Sequence, residues 1–199
     1  MLRTRNAKPV PHGGGLSAKQ HDALLVGQVA SGDGSAFDAL YRTFYPRLRR
    51  FIERMTRRPQ LVDEILDDTM LVVWRKADTY DHSSAVATWI FAIAFRKSLK
   101  ALKRLDEPVD SDDDCTVAAD GRGPYGSVLG NEVHALLARA LETLSAEQRA
   151  VVELTYFHGC GYREIAAILD CPVDTVKTRM FHARRKLKAL LAANREEMR

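Results

Sequence analysis

From Ser17 to Lys103 apolar residues recur at helical spacing, and the pattern is broken in only a few places. Asp22 to Ala30 predicts a first helix, ended by SGDGSAF, where Gly32 and Gly34 stop it and Ser35 can cap the next. Phe37 to about Thr56 predicts a second, with Phe37, Leu40, Tyr41, Phe44, Leu48, Phe51 and Ile52 on a stripe suited to a core, closed by Arg57, Arg58 and Pro59. Leu61 to Ala77, LVDEILDDTMLVVWRKA, predicts a third. After the polar loop from Asp78 to Val86 comes ATWIFAIAFRKSLKALKR, in which Trp89, Ile90, Ile93, Ala94 and Leu99 follow a buried pattern. Phe91, Phe95, Arg96, Lys97, Lys100, Lys103 and Arg104 mix aromatic and basic character along the same segment.

Periodicity then lapses from Arg104 to about Asn131 and resumes with a helix over Glu132 to Leu141. Ser145 with Gln148 three residues on is a capping-box pattern, followed by Ala150, Val151, Leu154, Thr155 and Phe157 as a buried stripe. Gly159 to Gly161 turns the chain into GYREIAAILDCPVDTVKTRMFHARRKLKAL. Here Ile165, Ala166, Ile168 and Leu169 line one side of a short helix. Asp170, Cys171 and Pro172 break it, because proline biases the preceding residue out of helix while suiting the first turn of a new one. From Val173 the period returns, with Val176, Met180, Ala183, Leu187 and Leu190 on one stripe. Two helices joined by a tight turn make a helix-turn-helix.

The second of these helices has the chemistry for DNA. Between Thr175 and Lys188 the charged residues are Lys177, Arg179, Arg184, Arg185, Lys186 and Lys188, with no acid among them. Lys177, Thr178, Phe181 and His182 occupy the exposed face of its N-terminal half, the part of such a helix that enters a major groove. Thr175, Arg179, Arg184 and Arg185 are candidates for the phosphate backbone. A solvated charged face is the bland reading of any basic run, but it requires neither the proline-containing break nor an exposed aromatic.

A second informative stretch is the third helix. Asp63, Glu64, Asp67 and Asp68 repeat at spacings of three and four and form an acidic face, with Ile65, Leu66, Thr69, Val73 and Trp74 toward the other side. Like charges so close repel, which a basic partner would relieve; spacing alone favours a solvated face. The aromatic and basic mixture of the fourth helix suits single-stranded DNA, where bases stack on rings and basic groups follow phosphates. A partly exposed core helix is the alternative.

Composition adds bounds. The 199 residues are 46% hydrophobic, enough for one large or two small cores, and the formal charge of +4 is modest but unevenly spread. The stretch from Asp106 to Asp120 contains seven acids and no base. With Pro108, Gly121, Gly123, Pro124 and Gly126 it reads as a flexible acidic linker. The first residues, with Pro9, Pro11 and Gly13 to Gly15, read as a flexible arm with no secretory signal, and no run approaches the ~20 apolar residues of a membrane helix. A cytoplasmic protein without membrane insertion is expected. Cys115, Cys160 and Cys171 are an odd count without CxxC spacing, so no disulfide framework or metal site is indicated, although His158 and Cys160 could be joined by Cys171. No Walker loop, HExxH or nucleophile constellation is present; neither catalytic residues nor a cofactor are expected.

The run EIAAILDCPVDTVKTRMFHARRKL resembles the promoter-reading C-terminal domain of the extracytoplasmic-function sigma factors of the sigma-70 family. The segment Asp63 to Trp74 resembles the part of sigma region two that docks on RNA polymerase, with Asp67 where that family usually has Gln and Val72 where it often has a polar residue. The resemblance covers about Asp22 to Leu191. It implies an all-α protein of two small helical domains: a flexible arm over 1–20, a region-two-like domain over 21–104, an acidic linker over 105–131, a region-four-like helix-turn-helix domain over 132–193 and a tail over 194–199. It further implies that Asp63, Glu64, Asp67, Asp68 and Thr69 bind core polymerase. Thr175, Lys177, Thr178, Arg179, Phe181, His182, Arg184 and Arg185 would bind the minus-thirty-five element. His82, Ser83, Ser84, Trp89, Phe91, Phe95, Arg96 and Lys97 would open and read the minus-ten element, with Phe95, Arg96 and Lys100 departing from the residues common there. The implied partners are core RNA polymerase, promoter DNA as duplex and non-template strand, and an anti-sigma factor, the chain being a monomer when free of them. A stand-alone helix-turn-helix regulator is the main rival reading, and a helical interaction module or small hydrolase the more distant one.

Overall fold

The structure, a computed structural model, describes residues 17–106, 141 and 143–197. The expected linker and the helix over Glu132 to Leu141 lie almost wholly outside the described residues, as does most of the arm. Among the described residues there is no strand.

Helices α1 (Ala18–Ala30), α2 (Gly34–Thr56), α3 (Val62–Arg75) and α4 (Val86–Asp106) form the N-terminal unit. Helix α1 starts four residues before the expected position, because Ser17 and Gln20 close a reciprocal capping box that hydropathy alone does not reveal. The cap of α2 is Asp33 rather than Ser35: its Oδ1 accepts from the backbone N–H of Ser35 at 2.8 Å and of Ala36 at 3.2 Å. Gly32, at φ 86°, makes the left-handed turn between the two helices. Arg57 ends α2 in the same left-handed region. Phe44, Leu48, Phe51 and Ile52 of α2 are fully buried against α3 and α4, as their spacing predicts.

Among the described residues the C-terminal unit consists of α5 (Ala146–Tyr156), α6 (Tyr162–Leu169) and α7 (Val173–Glu197). Ser145 and Gln148 form the expected capping box. Ala150, Val151 and Leu154 of α5 are buried, as are Ile165, Ala166, Ile168 and Leu169 of α6 and Val176, Met180 and Ala183 of α7. Phe157, expected in that stripe, is instead 48% exposed.

The two units touch. Helix α4 packs on α6 and α2 on α5, so the buried apolar residues form one continuous core. Six consecutive residues of α4, Ile90 to Phe95, are buried, which requires protein on every side of the helix.

Candidate nucleic-acid interface

The turn between α6 and α7 sets how α7 is presented. Asp170 adopts φ 50°, and the Cys171 N–H reaches back to the Ala166 carbonyl at 3.0 Å, closing the end of α6. Pro172, which has no N–H to leave unpaired, then receives the Thr175 N–H on its carbonyl at 3.0 Å as α7 begins. Burial of Val176, Met180 and Ala183 fixes the rotation of α7 and turns the opposite face outward.

On that outward face lie Lys177, Thr178 and Phe181, all exposed, with His182 half-buried beside Phe181 at 5.5 Å between ring centroids. The Phe181 ring is 62% accessible, so it is free to meet a ligand. Lys177 is held to Asp174 at 2.9 Å, which also keeps the Asp174 carboxyl below the usual carboxylate range. Thr178 spends its hydroxyl proton on the Asp174 carbonyl at 2.9 Å, leaving its lone pairs outward. Thr175 is half-buried, as is Arg179, whose guanidinium lies 3.5 Å from the Cys171 sulfur. Arg184 and Arg185 are exposed one turn on; Arg184 donates to the Tyr156 hydroxyl at 3.2 Å. Lys186 bonds the Thr143 carbonyl at 3.1 Å. The basic residues thus run along a helix tied to α5 at its far end.

On α3, Asp63, Glu64, Asp67 and Asp68 are all exposed, while Thr69 is buried and donates to the Ile65 carbonyl at 2.7 Å. The expected repulsion is relieved within the chain: Arg49 pairs with Asp63, Lys97 with Asp68 at 2.9 Å, and Arg104 stands 3.8 Å from Glu64. Such exposed pairs are worth about 0–1 kcal/mol each, so a basic partner can replace them at small cost.

The loop before α4 is organised on Tyr80. Its hydroxyl donates to the Ser84 carbonyl at 2.6 Å, and its ring lies 4.7 Å from the His82 ring and 5.3 Å from half-buried Trp89. Ser83 donates its N–H to Asp81 at 3.0 Å, and His82 adopts φ 60°. Arg96 is exposed, whereas Lys97 is half-buried and engaged with Asp68. Phe91 and Phe95 depart from expectation: they are 1% and 4% exposed, and Phe91 packs on Phe51 and His158. Neither ring is available to stack on a base in this arrangement. Periodicity leaves α4 a solvent face, and α6 covers it.

Among the described residues no group of three His, Cys, Asp or Glu side chains could hold a metal ion, and no helix is long and apolar enough to cross a membrane.

A family model for sigma-70 region 2 matches residues 40–107, and one for sigma-70 region 4 matches residues 134–187. The chain is 27% identical to the ECF RNA polymerase sigma-E factor of Salmonella typhi over 179 residues, 85% of this chain and 93% of that one. It is 29% identical to the RNA polymerase sigma-H factor of Pseudomonas aeruginosa over 192 residues, covering 91% and 100%. The chain belongs to the extracytoplasmic-function group of the sigma-70 family. Among solved structures, this sigma factor resembles CnrH in complex with the cytosolic domain of CnrY, at TM-score 0.65 and 28% identity over 87% of this chain and 98% of that one. It also resembles RpoE in complex with the anti-sigma factor NepR from Bartonella quintana, at TM-score 0.65 and 27% identity over 78% and 96%.

The sigma factor also carries polar residues that sequence reasoning missed, all at the seam between its two units. Glu153 is fully buried and paired with Arg54 at 3.1 Å. Burial raises its carboxyl pKa, while Arg54 and Arg149 pull it back. Arg149 donates to the Met55 carbonyl at 2.6 Å, satisfying one of the orphan acceptors at the end of α2. His158 packs its ring against both Phe51, at 5.9 Å, and Phe91, at 4.8 Å. Burial, and then the nearby Arg47, Arg54 and Arg50, lower its pKa to about 4. The one available signal was an acid at position 153 inside the apolar run AVVELTYF.

Proposed function

We propose that this chain is a sigma factor that binds core RNA polymerase and directs promoter-specific initiation. The observation that carries the reading is the presentation of α7: a proline-started helix whose seated stripe turns Lys177, Thr178 and Phe181 outward at its N-terminal end, with basic residues along its length. In this reading those three, with His182, contact base edges of the minus-thirty-five element. Thr175, Arg179, Arg184 and Arg185 contact phosphates. The acidic face of α3, through Asp63, Glu64, Asp67 and Asp68, meets core polymerase, with Thr69 setting the helix geometry beneath. His82, Ser83, Ser84 and Trp89, gathered around Tyr80, with Arg96 and Lys97, receive the minus-ten non-template strand. The region-two-like domain spans 21–104 and the helix-turn-helix domain 132–193.

The role is recognition and strand opening in the cytoplasm, without a catalytic residue of its own. Control by an anti-sigma factor is supported by the solved relatives, one of which is bound to NepR. The deciding experiment is transcription from a library of randomised promoters with and without bacterial core polymerase. Transcripts that need both proteins and share two spaced elements are expected. Duplex retardation without core-dependent initiation would instead make the chain a stand-alone regulator.

A further inference from the structure

Helix α4 begins against a cavity of about 380 Å³ whose wall it shares with α1, α2 and α6. Its first turn is uncapped. Ala85 stands in the capping position, where its carbonyl accepts the Trp89 N–H at 3.1 Å, but it has no side-chain oxygen, and the N–H groups of Val86, Ala87 and Thr88 find no acceptor among the described residues. All three residues line the cavity, and Val86 and Thr88 are 2% and 6% exposed, so bulk water does little for them. Thr88 carries an independent sign. Buried Thr56 and Thr69 each donate the hydroxyl to the carbonyl four residues back, at 2.9 and 2.7 Å. For Thr88 that acceptor is the Ser84 carbonyl, which the Tyr80 hydroxyl already holds at 2.6 Å. The Thr88 hydroxyl is left without a partner among the described residues, on a residue buried in the cavity wall. Arg47 and Lys19 line the same space, and neither forms an ion pair among the described residues. Arg47 is seated over the Phe91 ring at 5.4 Å from its centroid. The two acids in the wall oppose these donors weakly: Glu164 already accepts the Gly161 N–H at 2.9 Å, and burial raises the pKa of Asp22, disfavouring its ionised form.

We infer that this cavity binds a small phosphate-bearing anion, its oxygens received by the first-turn N–H groups of α4, the Thr88 hydroxyl and the Arg47 guanidinium. The inference goes beyond the sigma-factor reading and does not rest on it. A phosphate at the start of a helix meets free N–H donors and the positive end of the helix dipole together. An arginine adds two parallel donors to the same group. The volume falls within the roughly 300–1,000 Å³ of small-molecule sites, so an organic group attached to the phosphate is also accommodated. Phe91 and Ile168 give that group an apolar wall. The site is separate from the outward face of α7, whose residues do not line the cavity.

The test uses the full chain with Cys115 and Cys171 replaced by Ser, so that a disulfide reagent reports on Cys160, which is half-buried and lines the cavity. Inorganic phosphate and adenosine monophosphate are titrated in turn, with sodium chloride at matched ionic strength as the reference. Saturable protection of the thiol is expected, the rate falling about fivefold at four times the half-protecting concentration. That concentration should rise about tenfold in Arg47→Ala, the loss of a charge-assisted hydrogen bond, and about threefold in Thr88→Val, the loss of a neutral one. In Asp22→Asn it should fall, because a repelling carboxylate is gone. Half-protecting concentrations are compared, and not rates, because burial raises the Cys160 pKa and Arg47 works against it. Thr88→Val keeps the shape of the side chain and decides the matter if R47A has lost helical circular dichroism. Adenosine monophosphate protecting at lower concentration than phosphate makes the ligand a phosphate ester, and the reverse order makes it free phosphate; both support the site. Protection no greater than sodium chloride gives, equal protection in the parent, R47A and T88V, or weaker protection in D22N overturns it. Neither polymerase nor DNA enters the assay, so its failure leaves the sigma reading standing.

Discussion

The pair of Arg54 and Glu153 is asymmetric, and removing its two halves has unequal consequences. The Glu153 side chain is 1% exposed, that of Arg54 37%. In Glu153→Gln the guanidinium turns to water or keeps a hydrogen bond to the amide, at a cost below about 1 kcal/mol. In Arg54→Met the carboxylate is left buried without its partner, a change that costs about 3–5 kcal/mol when there is no escape. Arg149 is near enough to return part of this, leaving about 2–3 kcal/mol. Separation of the units is the escape, because it returns Glu153 to water, so the cost appears as opening and not as unfolding. At 1.4 kcal/mol per factor of ten this multiplies the open-to-closed ratio about 30- to 150-fold. Cys160, half-buried beside the cavity at the seam, reports it. With Cys115 and Cys171 replaced by Ser, the rate at which a disulfide reagent modifies Cys160 follows the open population. Partial exposure in the closed state limits the observable gain, so R54M is expected to react at least about tenfold faster and E153Q within about fivefold of the parent. Equal acceleration in the two variants, or none in R54M with circular dichroism unchanged, refutes the argument.

The remaining predictions concern the helix-turn-helix, pH and the cysteines. Phe181→Ala removes an exposed ring and should leave the melting temperature within about 2 °C while costing about 1–3 kcal/mol in binding to a selected minus-thirty-five duplex. Loss of stability without loss of binding would place Phe181 in the core instead. Met180→Ala, on the seated side of the same helix, should destabilise the protein by about 2–5 kcal/mol in urea titration. His158 is favoured neutral in the closed state, so its contribution to closure is complete above its ordinary pKa of 6.5 and is lost as pH falls toward about 4. Arg47, Arg54 and Arg50 of α2 lie near it, uncharged Phe91 of α4 packs on it, and Lys19 and Asp22 of α1 and Glu164 of α6 line the same cavity. Glu153, with its pKa raised, works in the opposite sense at the acid end, so scattering of H158Q should lose the expansion that wild type shows between pH 6.5 and 5. Replacing all three cysteines with Ser should leave any oxidant response of core-dependent transcription unchanged.

What local chemistry governs was legible in the chain. Residues seated by their own helix and its nearest neighbours follow period and capping, so the stripe Val176, Met180 and Ala183, the box at Ser145 and the break at Pro172 all stand where the pattern puts them. The acidic face of α3 was legible for the same reason, since helical spacing alone puts those carboxylates side by side. The pairing of that face with Arg49, Lys97 and Arg104 was not, because those partners come from other helices. The caps at Ser17 and Asp33 were missed because their hydrogen bonds leave no mark in hydropathy. The exposure of Phe157, and the burial of Phe91, Phe95 and Glu153, were decided by tertiary structure. A residue's own segment offers it two faces, and which is covered depends on a helix that arrives from the other unit. Packing α6 onto α4 and α5 onto α2 brings together residues some hundred positions apart, a long-range choice that no periodicity within either segment encodes.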